Sequence, residues 1–100
     1  MTSFNLDVTT VEPLSNNKPK QAIILCHGYG GDGKDISSLA MNWRRFLPDA
    51  IFLCPNAPEP CSINPQGFQW FDLSIEKEDV ILEKSLVAEK KLILFLDQVL

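Results

Sequence analysis

Ala22-Ile23-Ile24-Leu25-Cys26-His27-Gly28-Tyr29-Gly30-Gly31-Asp32-Gly33 is the stretch on which the architecture turns. Its first five residues are apolar without alternation, the pattern of a strand covered on both faces, as in a parallel sheet. A loop follows at once, with four glycines in the seven positions from His27 to Gly33. There the backbone can reach dihedrals closed to other residues or approach a neighbour closely. Ile36, Leu39, Ala40, Trp43, Phe46 and Leu47 then fall on one face of a helix, with Asp35 placed to cap its start and Pro48 to mark its end. Ala50-Ile51-Phe52-Leu53-Cys54 is a second unbroken apolar run. Strand, loop, helix, strand reads as a right-handed crossover between parallel neighbours of one sheet.

Upstream, Leu6, Val8 and Thr10 alternate with Asp7 and Thr9, which predicts a first strand ended by Glu12-Pro13. Downstream, Pro55–Gly67 holds four of the seven prolines and reads as an extended loop leading to Phe68-Gln69-Trp70-Phe71-Asp72. From Glu76 to Leu100, Glu76-Lys77, Glu83-Lys84, Lys90-Lys91 and Asp97-Gln98 recur every seven residues, predicting a long helix with a candidate break near Ser85. The five apolar residues Leu92–Leu96 make a stripe wider than a coiled-coil seam, so this helix is expected to lie on a sheet.

A chain of 100 residues, 45% hydrophobic, has the size and composition of at most one globular domain. A formal charge of -4 disfavours a binder of nucleic-acid phosphates. No apolar run approaches the roughly 20 residues of a membrane helix, and Met1–Thr10 lacks the order of a signal peptide, so no membrane span and a cytoplasmic location are expected. Three cysteines cannot all pair, which suits a reducing compartment. Cys26 and Cys54 end apolar strands and read as buried, unreactive thiols, and Cys54-x6-Cys61 with one histidine misses zinc-ligand spacing. No metal and no cofactor are expected.

The glycine spacing alone has several readings. Gly28-x-Gly30-x-x-Gly33 fits the dinucleotide fingerprint, but Cys54-Pro55-Asn56 offers no carboxylate where the ribose-binding acid should stand. Gly28-x-x-x-x-Gly33-Lys34 reproduces most of a phosphate-binding loop, yet Asp35 replaces the hydroxyl residue and would repel phosphate. Glycines serving a tight turn and close packing are the plain alternative.

Three strings occur together and in order: His27-Gly28 after the first apolar run, Cys54-Pro55-Asn56-Ala57-Pro58 after the second, and Gln69-Trp70-Phe71-Asp72 after the proline loop. Over roughly Ala22 to Leu100 the chain thereby resembles the phospholipase/carboxylesterase branch of the α/β-hydrolase superfamily, which includes acyl-protein thioesterases. The resemblance implies an N-terminal part of an α/β-hydrolase sheet, with about three strands and two or more helices, incomplete at residue 100. It assigns the backbone N–H of Tyr29 to an oxyanion hole, with Gly28 and Gly30 forming the turn that aims it and His27 organising the loop backbone. Trp70 becomes a candidate substrate contact, weighed evenly against simple core packing, and Asp72 an anchor for the following turn. The substrate class would be an ester or thioester.

Hydrolysis by this route needs a serine on a sharp strand-to-helix turn, then an acid and a histidine. Ser3, Ser15, Ser37, Ser38, Ser62, Ser74 and Ser85 all lack flanking glycines in the Gly-x-Ser-x-Gly arrangement, and His27 is the sole histidine. Residues 1–100 are therefore expected to form one partial hydrolase domain, cut before the nucleophile and inactive alone. The resemblance places the missing strand beside Ala22–Cys26, so an apolar sheet edge would stay open to a complementing C-terminal chain or to self-association. The alternatives are a small interaction or assembly protein and, behind it, a nucleotide-binding module using Gly28–Lys34.

Overall fold

The computed structural model describes residues 4–72 and 77–99. Strand β1 is Val8–Val11, β2 is Gln21–Ile24 and β3 is Ala50–Pro55. Helix α1, Gly33–Trp43, connects β2 to β3. A two-residue ladder, β4 (Glu59–Pro60) with β5 (Phe68–Gln69), precedes α2, Glu78–Val99. The sheet order is β1-β3-β2, with β3 antiparallel to β1 and parallel to β2. This is the expected crossover, within a small mixed sheet flanked by two helices.

The unbroken apolar run of β3 follows from its central place. Ala50 and Phe52 pack with Val11 and Ala40 on the α1 side, while Leu53 packs with Leu6 and Phe95 on the α2 side. Successive side chains point to opposite faces, so a strand covered twice must be apolar at every position. Phe52 and Phe95 are fully buried, each contributing about 1.5–3 kcal/mol through removal from water.

Four expectations need correction. The first apolar run is only half covered: Gln21 and Ala22 are exposed and Ile23 and Ile24 partly buried, because β2 lies at the sheet's edge. The cap of α1 is Asp32, not Asp35: Asp32 has extended backbone (φ -153°, ψ 168°), and its carboxylate accepts from the Asp35 N–H at 2.6 Å. The helix ends at Trp43, before Pro48, as Phe46 and Leu47 turn back to bond the Trp43 carbonyl. Of its apolar face only Ala40 is fully buried, whereas Leu39 and Trp43 are exposed and Phe46 is 77% exposed. α1 contacts β1 and β3, so among the described residues its outer flank has no strand beneath it.

Helix α2 runs unbroken through Ser85, whose hydroxyl donates to the Leu82 carbonyl at 2.8 Å instead of interrupting the ladder. The expected helix ends at Glu76 and Leu100 lie outside the described residues. Asn5 ties the N-terminal segment to this helix, its backbone N–H donating to Gln98 Oε1 at 2.8 Å and its Nδ2 to the Lys91 carbonyl at 3.1 Å.

Candidate functional site

His27 leaves β2 and is buried. Its Nε2 accepts the Ala57 N–H at 2.9 Å, which puts the ring proton on Nδ1, 2.6 Å from the Gly28 carbonyl. Both nitrogens are committed in a neutral ring, so this histidine fastens the glycine loop to the segment after β3 and has no lone pair left to take a proton from a nucleophile. Trp70 donates its indole N–H to the His27 carbonyl at 3.0 Å and stacks on the imidazole, with centroids 5.6 Å apart. The indole also packs toward Leu6, Leu53 and Phe95 and lines a small cavity, about 90 Å³, with Phe71, Val87 and Ala88.

The loop itself is a turn. Gly31 N–H donates to the Gly28 carbonyl at 3.1 Å, and Gly30 at the third position has φ +81°. This is the type II pattern, whose third residue needs the left-handed region that glycine enters without cost. Gly30 N–H donates to the Phe68 carbonyl at 2.9 Å, Phe68 N–H to the Gly31 carbonyl at 2.8 Å, and Asn64 Nδ2 to the Gly30 carbonyl at 2.9 Å. The turn is thus laid against β5. Gly30 and Gly31 have spent their amides, whereas among the described residues no protein acceptor meets the Tyr29 N–H.

The Tyr29 phenol reaches away from the turn. Its oxygen lies 2.9 Å from Ser62 Oγ and 3.3 Å from Asp72 Oδ1, and Ser62 Oγ donates to the same Asp72 oxygen at 3.1 Å. Ser62 N–H donates to Gln69 Oε1 at 3.1 Å, and the buried Gln69 returns its Nε2 to Glu59 at 3.0 Å. A Ser62 hydroxyl turned to donate to the phenol oxygen favours its ionised form, but desolvation, with Cys61 and Asp72, outweighs this and holds the Tyr29 pKa above its ordinary value. Asp72 therefore anchors Tyr29 and Ser62; the turn after it lies outside the described residues. Asn56 and Gln69 stand inside the motif strings with no role assigned to them there, and Ser62 and Asn64 lie outside those strings, where no sequence signal marks them.

The third loop glycine has a packing task. A Cβ on Gly33 would collide with the Cys54 carbonyl oxygen and stand 2.9 Å from its carbon. Gly33 N–H donates to Asn56 Oδ1 at 2.7 Å, while Asn56 N–H donates to the Asp7 carbonyl at 2.7 Å. With Asp32 bonded to the Asp35 N–H, two of the amides at the start of α1 that a phosphate would use, those of Gly33 and Asp35, are taken. The shallow hollow beside them, about 330 Å³, is lined by both Asp32 and Asp35.

Cys54 and Cys61 are buried free thiols, but Cys26 is exposed, contrary to expectation, because the edge strand leaves its end uncovered. Desolvation raises the pKa of Cys26, and desolvation with Cys26 as neighbour raises that of Cys54, which keeps both as thiols rather than nucleophilic thiolates. Among the described residues no three His, Cys, Asp or Glu side chains converge as metal ligands, and no helix is long and apolar enough to cross a membrane.

A family model described as phospholipase/carboxylesterase matches residues 8–94. The crystal structure of esterase PE8 aligns over 94% of this chain with a TM-score of 0.86 and 35% sequence identity. The aligned region is 44% of that esterase, so the chain spans less than half of its length. The parallel crossover with helices on both faces agrees with this likeness, and the chain belongs to the phospholipase/carboxylesterase family of α/β-hydrolases.

Proposed function

We propose that residues 1–100 form the first part of one hydrolase domain and supply the oxyanion-binding loop of a carboxylic ester or thioester hydrolase. The carrying observation is the Tyr29 N–H, the amide of a pinned turn that meets no protein acceptor among the described residues while Gly30 and Gly31 are bonded. When a nucleophile adds to an acyl carbonyl, its oxygen gains negative charge, and a fixed N–H aimed there stabilises the transition state more than the substrate. His27, Gly28 and Gly30 hold that amide, and Trp70, bonded to the His27 carbonyl, flanks the mouth as a substrate contact.

The nucleophile, acid and base come from polypeptide outside these residues. No serine here has the Gly-x-Ser-x-Gly setting, and both His27 nitrogens are occupied. The open edge of β2 supports docking of the nucleophile-bearing strand there, from the same chain or a separate one. The three free thiols support action in the cytoplasm. Against nucleotide binding through Gly28–Lys34 stand the Gly33 and Asp35 amides at the start of α1, both already bonded to side chains of this chain.

The test replaces the aligned part of esterase PE8 with residues 1–100 and follows p-nitrophenyl ester hydrolysis. The chain alone is expected to match buffer, and the chimera to turn over. Exchanging the Tyr29 amide for a backbone ester, which removes the N–H and keeps the side chain, should lower kcat about 10²–10³-fold. An unchanged kcat in the ester-substituted chimera refutes the oxyanion assignment, and hydrolysis by the isolated chain refutes its incompetence.

A further inference from the structure

We propose that the Tyr29 side chain is a positioning device: its phenol, held by Ser62 and Asp72, adds to the bonds on the Gly28 carbonyl a second tether that steadies the Tyr29 N–H between two glycines. This rests on the oxyanion reading of that amide. Tyr29 has Gly28 before it and Gly30 after it, so its peptide is flanked by the two most permissive links in the chain. A Cβ on Gly28 would meet nothing within 4 Å, so packing around that residue does not restrain the turn. The peptide that carries this N–H is tied on its carbonyl side, where the Gly28 oxygen accepts from His27 Nδ1 and from Gly31 N–H, and the turn is held beyond it at Gly30 through Phe68 and Asn64. On the other side of the residue the phenol adds a tether from outside the loop, its partners coming from two other segments, the proline loop and the residues after β5.

The proton count gives the cluster a direction. Three oxygen pairs are in contact but only two hydroxyl protons are available, since the Asp72 carboxylate only accepts. The two shortest pairs take one each: Tyr29 O–H donates to Ser62 Oγ at 2.9 Å, and Ser62 O–H donates to Asp72 Oδ1 at 3.1 Å. The 3.3 Å pair then shares the Tyr29 proton. Ser62 is itself registered by the buried Gln69, which bonds its N–H. The phenol thus ends on a hydroxyl that the β4–β5 ladder holds in place. Ionising Tyr29 would remove the proton that two of these contacts use and set a phenolate against Asp72, with Cys61 the other titratable neighbour acting on it.

Tyr29 is the one tyrosine in the chain, so tyrosinate absorbance in the near ultraviolet reports it alone. The experiment combines that titration with nitrogen-15 relaxation of the amide at position 29, using β3 amides as the control for folding. The wild-type amide is expected to be as ordered as β3, with an order parameter near 0.85, and to fall measurably in Tyr29→Phe and Asp72→Ala while β3 is unchanged. Asp72→Asn, which keeps an acceptor oxygen, should retain the order yet lower the tyrosinate midpoint toward the ordinary value near 10. Ser62→Ala, on an exposed loop residue, provides a second break in the relay and should also loosen the amide. Unchanged order in Tyr29→Phe, Asp72→Ala and Ser62→Ala, or an unmoved midpoint in Asp72→Asn, overturns the proposal. The backbone ester at Tyr29 separates it from the oxyanion reading. Loss of order in Tyr29→Phe with no kinetic effect of the ester keeps the clamp and removes the catalytic role, and the converse pair removes only the clamp.

Discussion

Gly33→Ala should destabilise the fold sharply, and the cost follows from the approach of α1 to β3. The new Cβ would overlap the Cys54 carbonyl oxygen and lie 2.9 Å from its carbon, where ordinary contact begins at 3.4 Å. Neither partner is a flexible side chain: both belong to backbone, one in the first turn of α1 and one in the central strand. Relief therefore requires α1 to move away from β3, which overpacks or loosens the Val11, Ala40, Ala50 and Phe52 cluster at a cost of about 1–3 kcal/mol. The same movement stretches the 2.7 Å bond from Gly33 N–H to Asn56, a further loss of about 0.5–1.5 kcal/mol. Alanine's better helix propensity returns at most about 1 kcal/mol. The net is about 2–3 kcal/mol, or a fall in Tm of roughly 10–20 °C for a chain this size. Circular-dichroism melting of Gly33→Ala beside Gly28→Ala measures it, since a Cβ on Gly28 meets nothing within 4 Å. Equal melting temperatures for the two variants refute the close-approach argument.

Other outcomes follow from single contacts. Asn56→Ala removes the acceptor of the Gly33 N–H and should cost about 1–3 kcal/mol, read as a lower urea midpoint at an unchanged m-value. His27→Phe keeps an aromatic face for Trp70 but deprives the Ala57 N–H of its acceptor; faster hydrogen exchange at Ala57, with β3 protection retained, is the expected result. The Cys26 and Cys54 thiols ionise less readily in the folded chain than at the ordinary value of 9.0, so the folded state holds more protons above it. Their contribution to stability is complete below 9.0 and declines as pH rises through the folded values, which urea unfolding on either side of 9.0 will detect. A flat profile there opposes the assigned burial effect.

The parts of the fold that sequence made legible are those governed by periodicity. Two apolar runs and the pattern from Ile36 to Leu47 sufficed for a parallel crossover because a doubly covered strand such as β3 must be apolar throughout. Periodicity could not distinguish Asp32 from Asp35 as the cap. That choice depends on how closely Gly33 meets Cys54, a contact across 21 positions. Nor could it foresee that Trp43 and Phe46 would be exposed, because an apolar face does not state how many strands lie under it. The two-residue strands β4 and β5 are too short for any alternation to register. At the site, His27, Gly28, Tyr29 and Trp70 were found through the motif strings, whereas the Ser62–Tyr29–Asp72 contacts exist only through space.

The bonds that shape the glycine loop carry an implication for its synthesis. His27 to Ala57, Gly30 to Phe68, Tyr29 to Asp72 and Trp70 to His27 all close within the first 72 residues. All of these partners are therefore joined into the chain before α2 is made. The hydrogen bonds of the loop do not depend on α2, which adds the apolar packing of Phe95 in the cluster that Trp70 joins.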